Sequence, residues 1–226
     1  MVDTQERDLI LLHVGFALAA AVVLLAPGGL AQGWRIWILL LAYDAATLVV
    51  VLSRGYLRWL RLWWFAAVTS VFQILPDAVL AAGLGTLTFP PDGAPDIGPV
   101  TASMARMWTV PLVLIVAAAD AAHRRRGAAA GWITSVLVAG VVFVGAEALL
   151  PPLGIWEPVG VRTLGGWLAP YVLPPELLLG AAAWWGVQVT RERHPLLAVP
   201  TGALVSVLYT GALAVSWLLL ERGLLS

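Results

Sequence analysis

The sequence predicts an all-α polytopic membrane protein, a single domain over residues 1–226 built from seven transmembrane helices in one bundle. Three observations predict it. Of the 226 residues, 61% are hydrophobic and only 12% charged, where a soluble domain carries about 45–50% and about 25%. The mean hydropathy is +0.90. Seven stretches reach the ~20 mostly apolar residues that a helix needs to cross a bilayer, and the arginines fall in alternate connections between them, as loops retained on one membrane face do.

The spans lie near 9–26, 34–53, 60–87, 101–122, 128–150, 166–190 and 196–221. The first follows an acidic stretch, Met1 to Asp8, with no basic leader and no A-x-A cleavage site, and so reads as a retained helix rather than a signal peptide. The second carries Asp44. The third is longer than a bilayer requires and is interrupted by Pro76, which predicts a kink or tilt. The fourth contains Arg106 and Pro111, the fifth Glu147, and the sixth the run Pro174-Pro175-Glu176. Two connections rich in Pro and Gly, Thr88 to Val100 and Pro151 to Gly165, are too short for a soluble domain.

Arginine placement orients the chain. Arg54, Arg58 and Arg61, then Arg124, Arg125 and Arg126, then Arg191 and Arg193 lie in three alternate loops, with Arg7 at the N-terminus. Only Arg35, Arg162 and Arg222 lie on the other side. The positive-inside rule then makes the N-terminus cytoplasmic and the C-terminus external.

Several functions are excluded by composition. Zero net charge removes the electrostatic footprint of a nucleic-acid binder. No cysteine is present, so there is no disulfide, thiolate metal site or cysteine nucleophile. All thirteen basic residues are Arg, so no lysine Schiff base can form and a retinal-binding rhodopsin is ruled out. There is no Walker A loop, no H-E-x-x-H and no G-x-S-x-G. The three histidines are scattered, and no aspartate-rich cluster exists to hold Mg²⁺ on a diphosphate. Neither a metal nor a cofactor is expected.

An ionisable side chain at the centre of a spanning helix costs roughly 2.5–3.5 kcal/mol on insertion scales and is a functional candidate by default. Asp44, Asp77, Glu147, Glu176 and Arg106 qualify. At about 1.5 Å per residue, Asp44, Asp77 and Glu176 lie near mid-depth, with Arg106 and Glu147 in the outer half. Pro76, Pro111, Pro174 and Pro175 break helices beside these groups, and broken helix at membrane depth must pack on protein or line a cavity. The expectation is one cavity opening outward. In apolar surroundings the neutral carboxyl group is favoured and beside a guanidinium the carboxylate, so acids sharing a cavity divide into proton donor and acceptor. The plainer reading of any single acid, Glu147 above all, is an ion pair with Arg106 that holds helices together.

Of the twelve tryptophans, Trp34, Trp37, Trp59, Trp63, Trp64, Trp132, Trp167 and Trp217 fall near span ends, as an aromatic belt requires. Trp108 and Trp156 sit beside the polar features instead. Tyr43, Tyr171 and Tyr209 fit belt or pocket equally. Asp120 and His123 read as interfacial, His13 as a packing residue and His194 as a loop residue.

Two segments read alike, which suggests an internal helix-hairpin repeat. Asp77, then Leu84-Gly85, then Pro111 is matched by Glu147, then Leu153-Gly154, then Pro174. The second copy, Gly154-Ile155-Trp156 with Pro174-Pro175-Glu176, resembles the G-I-W and P-x-E-E pattern of the integral-membrane lycopene cyclase domain over some 40 residues, with Leu177 where a second acid stands in that pattern. Size, span number and lone buried acids also resemble the small membrane terpene cyclases of fungal meroterpenoid and bacterial indole-sesquiterpene synthesis. The resemblance implies a compact bundle that closes rings by protonating an alkene or epoxide.

The expected function is therefore a metal-independent terpene cyclase. Asp77 or Glu176 would donate the proton to a linear isoprenoid and Asp44 or Glu147 would take up the last one. Arg106, Trp108, Trp156 and Tyr171 would line the substrate site, the aromatic faces steadying the cation. The partners are a hydrophobic isoprenoid and membrane lipid. The alternative is a small proton-coupled transporter or lipid-binding membrane protein.

Overall fold

A computed structural model describes residues 3–223. The chain forms nine α-helices and four two-residue strands among these residues: α1 (Thr4–Leu25), α2 (Gln32–Arg54), α3 (Leu57–Phe72), α4 (Ile74–Ala78), β1 (Leu87–Thr88), β2 (Asp96–Ile97), β3 (Val100–Thr101), α5 (Met104–Met107), α6 (Thr109–Arg126), α7 (Ala128–Leu149), β4 (Glu157–Pro158), α8 (Leu173–Thr190) and α9 (Ala198–Leu220). Short 3₁₀ turns precede α8 and α9. Among the described residues, six segments are long and apolar enough to cross a membrane: Thr4–Leu25, Gln32–Arg54, Leu57–Leu84, Met104–Arg126, Ala128–Leu153 and Pro195–Leu220. Large apolar side chains such as Leu18, Val22, Leu137 and Val141 face outward, a surface that lipid solvates and water does not.

α8 is the exception in hydropathy, with an opening Pro-Pro-Glu, two tryptophans and Gln188 in eighteen residues. It packs on α7 and α9 and also touches α3 and α6. With protein rather than lipid around it, its apolar requirement is relaxed. Its start is also later than position 166, because Leu164 and Leu168 form a β-bridge and the 3₁₀ turn Pro170–Val172 comes first.

α3, α6, α7, α8 and α9 pack round one core, while α1 packs chiefly on α2, and α2 leans on α3. The arginine-bearing loops meet at one end. There Asp120, fully buried, takes ion pairs from Arg58 at 3.3 Å, Arg124 at 3.2 Å and Arg191. These residues come from three separate connections, so the alternation of loops is a property of the fold. Asp120 is accordingly a buried hub at that end.

The interruption of the third span falls at Gln73, a turn before Pro76. Pro76 has no N–H to give the Phe72 carbonyl four residues earlier, and Ser206 Oγ of α9 donates to that oxygen at 2.6 Å. The chain then continues through α4 into a π-helical turn, Val79–Leu84. Tyr171 is in the same position before α8. The residues three and four ahead are Pro174 and Pro175, and Ser216 Oγ donates to the Tyr171 carbonyl at 2.6 Å. Both prolines of α8 lie in its first turn, where a missing N–H is tolerated.

Leu84-Gly85 and Leu153-Gly154 end their helices alike, with glycine in the left-handed region at φ 66° and 71°, where a Cβ would be strained. The strands that follow pair antiparallel, Leu87 opposite Pro158 and Thr88 opposite Glu157. The two similar segments thus meet at the end remote from the arginines that surround Asp120.

Candidate functional site

At that end a cavity of about 570 Å³ lies inside the bundle. Its walls come from α1, α2, α4, α5, α6, α7, α8 and α9, and the segments around β1 and β4 close it with Leu87, Phe89, Ile155, Trp156 and Pro158. Most of the lining is apolar. Asp77, Glu147 and Glu176 all face into it, with Trp108, Trp156, Tyr171 and Tyr209.

Each acid is set by a local feature of the chain. Asp77 follows the proline that breaks the third span, and the π-helical turn after it is the kind of irregularity that shifts side chains at ligand sites. Its Oδ2 accepts from Trp108 Nε1 at 3.1 Å. Trp108 stands at the break between α5 and α6 that Pro111 imposes, since Pro111 has no N–H for the Met107 carbonyl. Glu147 lies in the last turn of α7 and lines the cavity together with Trp156. Glu176 sits in the first turn of α8, 4% exposed, and its Oε2 has no partner among the described residues. A buried carboxyl oxygen without a donor is a costly arrangement, and the Glu176 side chain is part of the cavity lining.

Aromatic groups surround the acids. The Trp108 ring lies 5.8 Å from Tyr209 edge-on and 5.5 Å from Phe143. Tyr171 donates to Thr86 Oγ1 at 2.9 Å, and Thr86 in turn reaches the Leu80 carbonyl in the π-helical turn. On the α1 wall, His13 Nδ1 lies 3.0 Å from the Leu9 carbonyl and Nε2 3.1 Å from the Tyr43 hydroxyl. A carbonyl only accepts, so Nδ1 carries the proton and Nε2 accepts from Tyr43. Both ring nitrogens of His13 are thereby occupied.

Asp44 and Arg106 are placed differently. Neither lines the cavity. Arg106 forms an ion pair with Asp44, its Nε 3.1 Å from Oδ2, and Trp63 Nε1 donates to Oδ1 at 2.9 Å. Both carboxylate oxygens are thus committed to side chains of α3 and α5. Trp63 therefore has a polar partner inside the bundle, and Trp59 is buried at 3% exposure, so neither belongs to a belt. Trp34 and Trp132 are exposed in the first turns of α2 and α7, and Trp64 is exposed within α3. Tyr209, Thr86, His13 and Phe143 join the cavity wall. The pocket alternative held for Tyr209, whereas Thr86 and Phe143 carry no sequence signal that separates them from ordinary span residues. Among the described residues, no three His, Asp or Glu side chains are grouped to hold a metal ion.

Fold and site together define a helical membrane protein with an acid- and aromatic-lined apolar cavity. The chain belongs to the family described as Domain of unknown function (DUF6989), whose model matches residues 74–220. The matched region contains Asp77, Glu147 and Glu176 and all four aromatic side chains named above, whereas Asp44 lies outside it. No curated protein and no solved structure matches the chain.

Proposed function

We propose that the protein is a metal-independent membrane terpene cyclase, with seven membrane passes, α8 included, and the arginine-rich end in the cytoplasm. The observation that carries this reading is the convergence of Asp77, Glu147 and Glu176 on one apolar cavity walled by Trp108, Trp156, Tyr171 and Tyr209. Its volume lies in the ~300–1,000 Å³ range of small-molecule sites.

In this reading Glu176 or Asp77, in its protonated form, gives its proton to a terminal alkene carbon or an epoxide oxygen of a linear isoprenoid. The alkene π electrons form the new C–H bond, or a lone pair of the epoxide oxygen takes the proton and the C–O bond breaks with its electrons moving to oxygen, and a carbocation is left on carbon. Internal alkenes attack it in turn and close rings, and the aromatic faces stabilise the moving charge. A neighbouring carboxylate, Glu147 by position, removes a proton from carbon to form the final double bond. No electrons are gained or lost, so the product is an isomer of the substrate. Asp44 with Arg106 serves to hold α2, α3 and α5 together.

The route into the cavity supports an apolar substrate. Val141 lines the cavity and is 76% exposed, so the space reaches the lipid-facing surface beside α7. Trp156 and Glu176, which carry the resemblance to the lycopene cyclase domain, both face this space. The test is incubation of the purified protein in detergent with linear polyprenyl substrates and their epoxides, followed by mass spectrometry. An isomeric product that disappears in Asp77→Asn or Glu176→Gln supports the cyclase, and unchanged substrate with folded protein removes it. The interrupted third helix beside a buried acid also favours a proton-coupled transporter. That reading requires proton-coupled flux in liposomes, lost in Asp77→Asn.

A further inference from the structure

A second concavity, of about 750 Å³, lies at the opposite end, between the start of α3, the end of α6, the end of α8 and the turn that leads into α9. Its floor is apolar, with Leu60, Phe65 and Val187 among its side chains, and five arginines line it: Arg58, Arg61, Arg124, Arg191 and Arg193. Only two acids, Asp120 and Glu192, face the same space.

The charge of this groove is not neutralised internally. Asp120 is shared by Arg58, Arg124 and Arg191, and Glu6 answers Arg124 at 3.0 Å, so one carboxylate is left to balance Arg58 and Arg191 together. Arg61 donates to the Arg191 carbonyl at 2.8 Å, a neutral acceptor. The guanidinium of Arg193 has no hydrogen-bond or ion-pair partner among the described residues, although Glu192 precedes it on the exposed loop. The groove is also held in shape. Trp64 Nε1 donates to the Pro195 carbonyl at 3.0 Å, and with the Arg61 bond this ties the start of α3 to the α8–α9 connection.

An arginine cluster serving only to fix orientation needs neither a concave surface nor an apolar floor. From the two combined we propose that this groove binds an anionic phospholipid, its phosphate between Arg61, Arg191 and Arg193 and the upper part of an acyl chain along Leu57, Leu60 and Trp64, the accessible apolar side chains of the lining. Guanidinium forks suit phosphate oxygens, and the apolar floor at a membrane-facing helix end suits the chain that follows the headgroup. A free phosphate ion would leave that floor uncovered. The proposal stands apart from the cyclase reading and shares no residue with the acid-lined cavity.

The test is native mass spectrometry of the full chain in detergent, titrated with phosphatidylglycerol or with phosphatidylcholine of the same acyl chains, and with inorganic phosphate as competitor. The proposal expects preferential binding of phosphatidylglycerol. Each arginine near an anionic headgroup contributes on the order of fivefold in affinity, so Arg61→Gln with Arg193→Gln weakens binding roughly 25-fold. Arg193→Gln alone, which breaks no contact within the protein, weakens it about fivefold. Arg54→Gln with Arg126→Gln removes two charges from the same end outside the groove and leaves binding unchanged. Equal binding of the two lipids, equal loss in the two double variants, or displacement of the lipid by inorganic phosphate at matching concentration each overturns the proposal.

Discussion

Ser206 Oγ donates to the carbonyl of Phe72 at 2.6 Å, the oxygen that Pro76 leaves without an amide partner. The same device recurs ten residues further along α9, where Ser216 serves the Tyr171 carbonyl ahead of Pro174-Pro175. In both cases the residue after the proline is a cavity acid, Asp77 or Glu176. The prolines bend the backbone so that an acid points inward, and α9 satisfies the polar group that the bend exposes.

This arrangement has a measurable signature. Ser206→Ala is expected to destabilise the protein by about 1–3 kcal/mol, because it orphans a buried carbonyl. In a Pro76→Ala background residue 76 regains an N–H that can reach the Phe72 oxygen, and the same serine change then costs much less. A double-mutant cycle followed by unfolding in detergent reads this coupling. Additive losses would mean that the hydroxyl and the proline are independent.

Asp44 and Arg106 are expected to behave as a structural pair. Removing either partner alone, as Asp44→Asn or Arg106→Gln, destabilises by about 2 kcal/mol, below the ~3–5 kcal/mol of a fully buried pair because a quarter of the Arg106 side chain remains exposed. The double variant recovers part of that loss. Turnover per folded molecule stays close to wild type in all three, which an activity assay normalised to folded protein reads. A collapse of turnover with stability intact would return Asp44 to the chemistry.

Much of this was legible in the sequence, and what was not has a common physical origin. Pro76-Asp77 and Pro174-Pro175-Glu176 announce broken helix beside an acid from local residues alone. The serines that complete each break lie 134 and 45 residues away in the chain, and a serine in an apolar span reads the same whether it meets lipid or a carbonyl. Asp44 and Arg106, 62 positions apart, both qualified as intramembrane charges. Their mutual pairing, which takes them from the cavity, depends on which faces of α2 and α5 are turned together. Trp59 and Trp63 fell near a span end, where the aromatic signal gives depth but not direction. The length of α8 was overestimated because its apolar approach, 166–172, is irregular chain packed over the cavity.

Glu176 carries a prediction that separates function from stability. Its Oε2 is buried without a partner, so Glu176→Met removes an unsatisfied polar group and is expected to leave the protein as stable as wild type or more stable, by up to about 1–3 kcal/mol. The same change abolishes product formation. A clear loss of thermal stability in detergent would instead assign Glu176 a structural bond.

The side opening predicts a kinetic effect. Val141→Trp places a bulky side chain where the cavity reaches the outer face of α7 and leaves all three cavity acids in place. Substrate entry is hindered and the chemistry is not, so KM rises severalfold and kcat holds. Equal losses in kcat would show that the residue bears on the reacting groups.

The most direct measurement is the reaction in D₂O. Purified protein in detergent is incubated with linear polyprenyl substrates and their epoxides, with Asp77→Asn and Glu176→Gln as controls, and the products are analysed by mass spectrometry. The cavity acids as proton donors predict an isomeric cyclic product that is lost in the variants, with deuterium fixed on carbon for an alkene trigger and none fixed on carbon for an epoxide trigger. Return of every substrate unchanged by folded wild-type protein, or a product that persists in both variants, would contradict it.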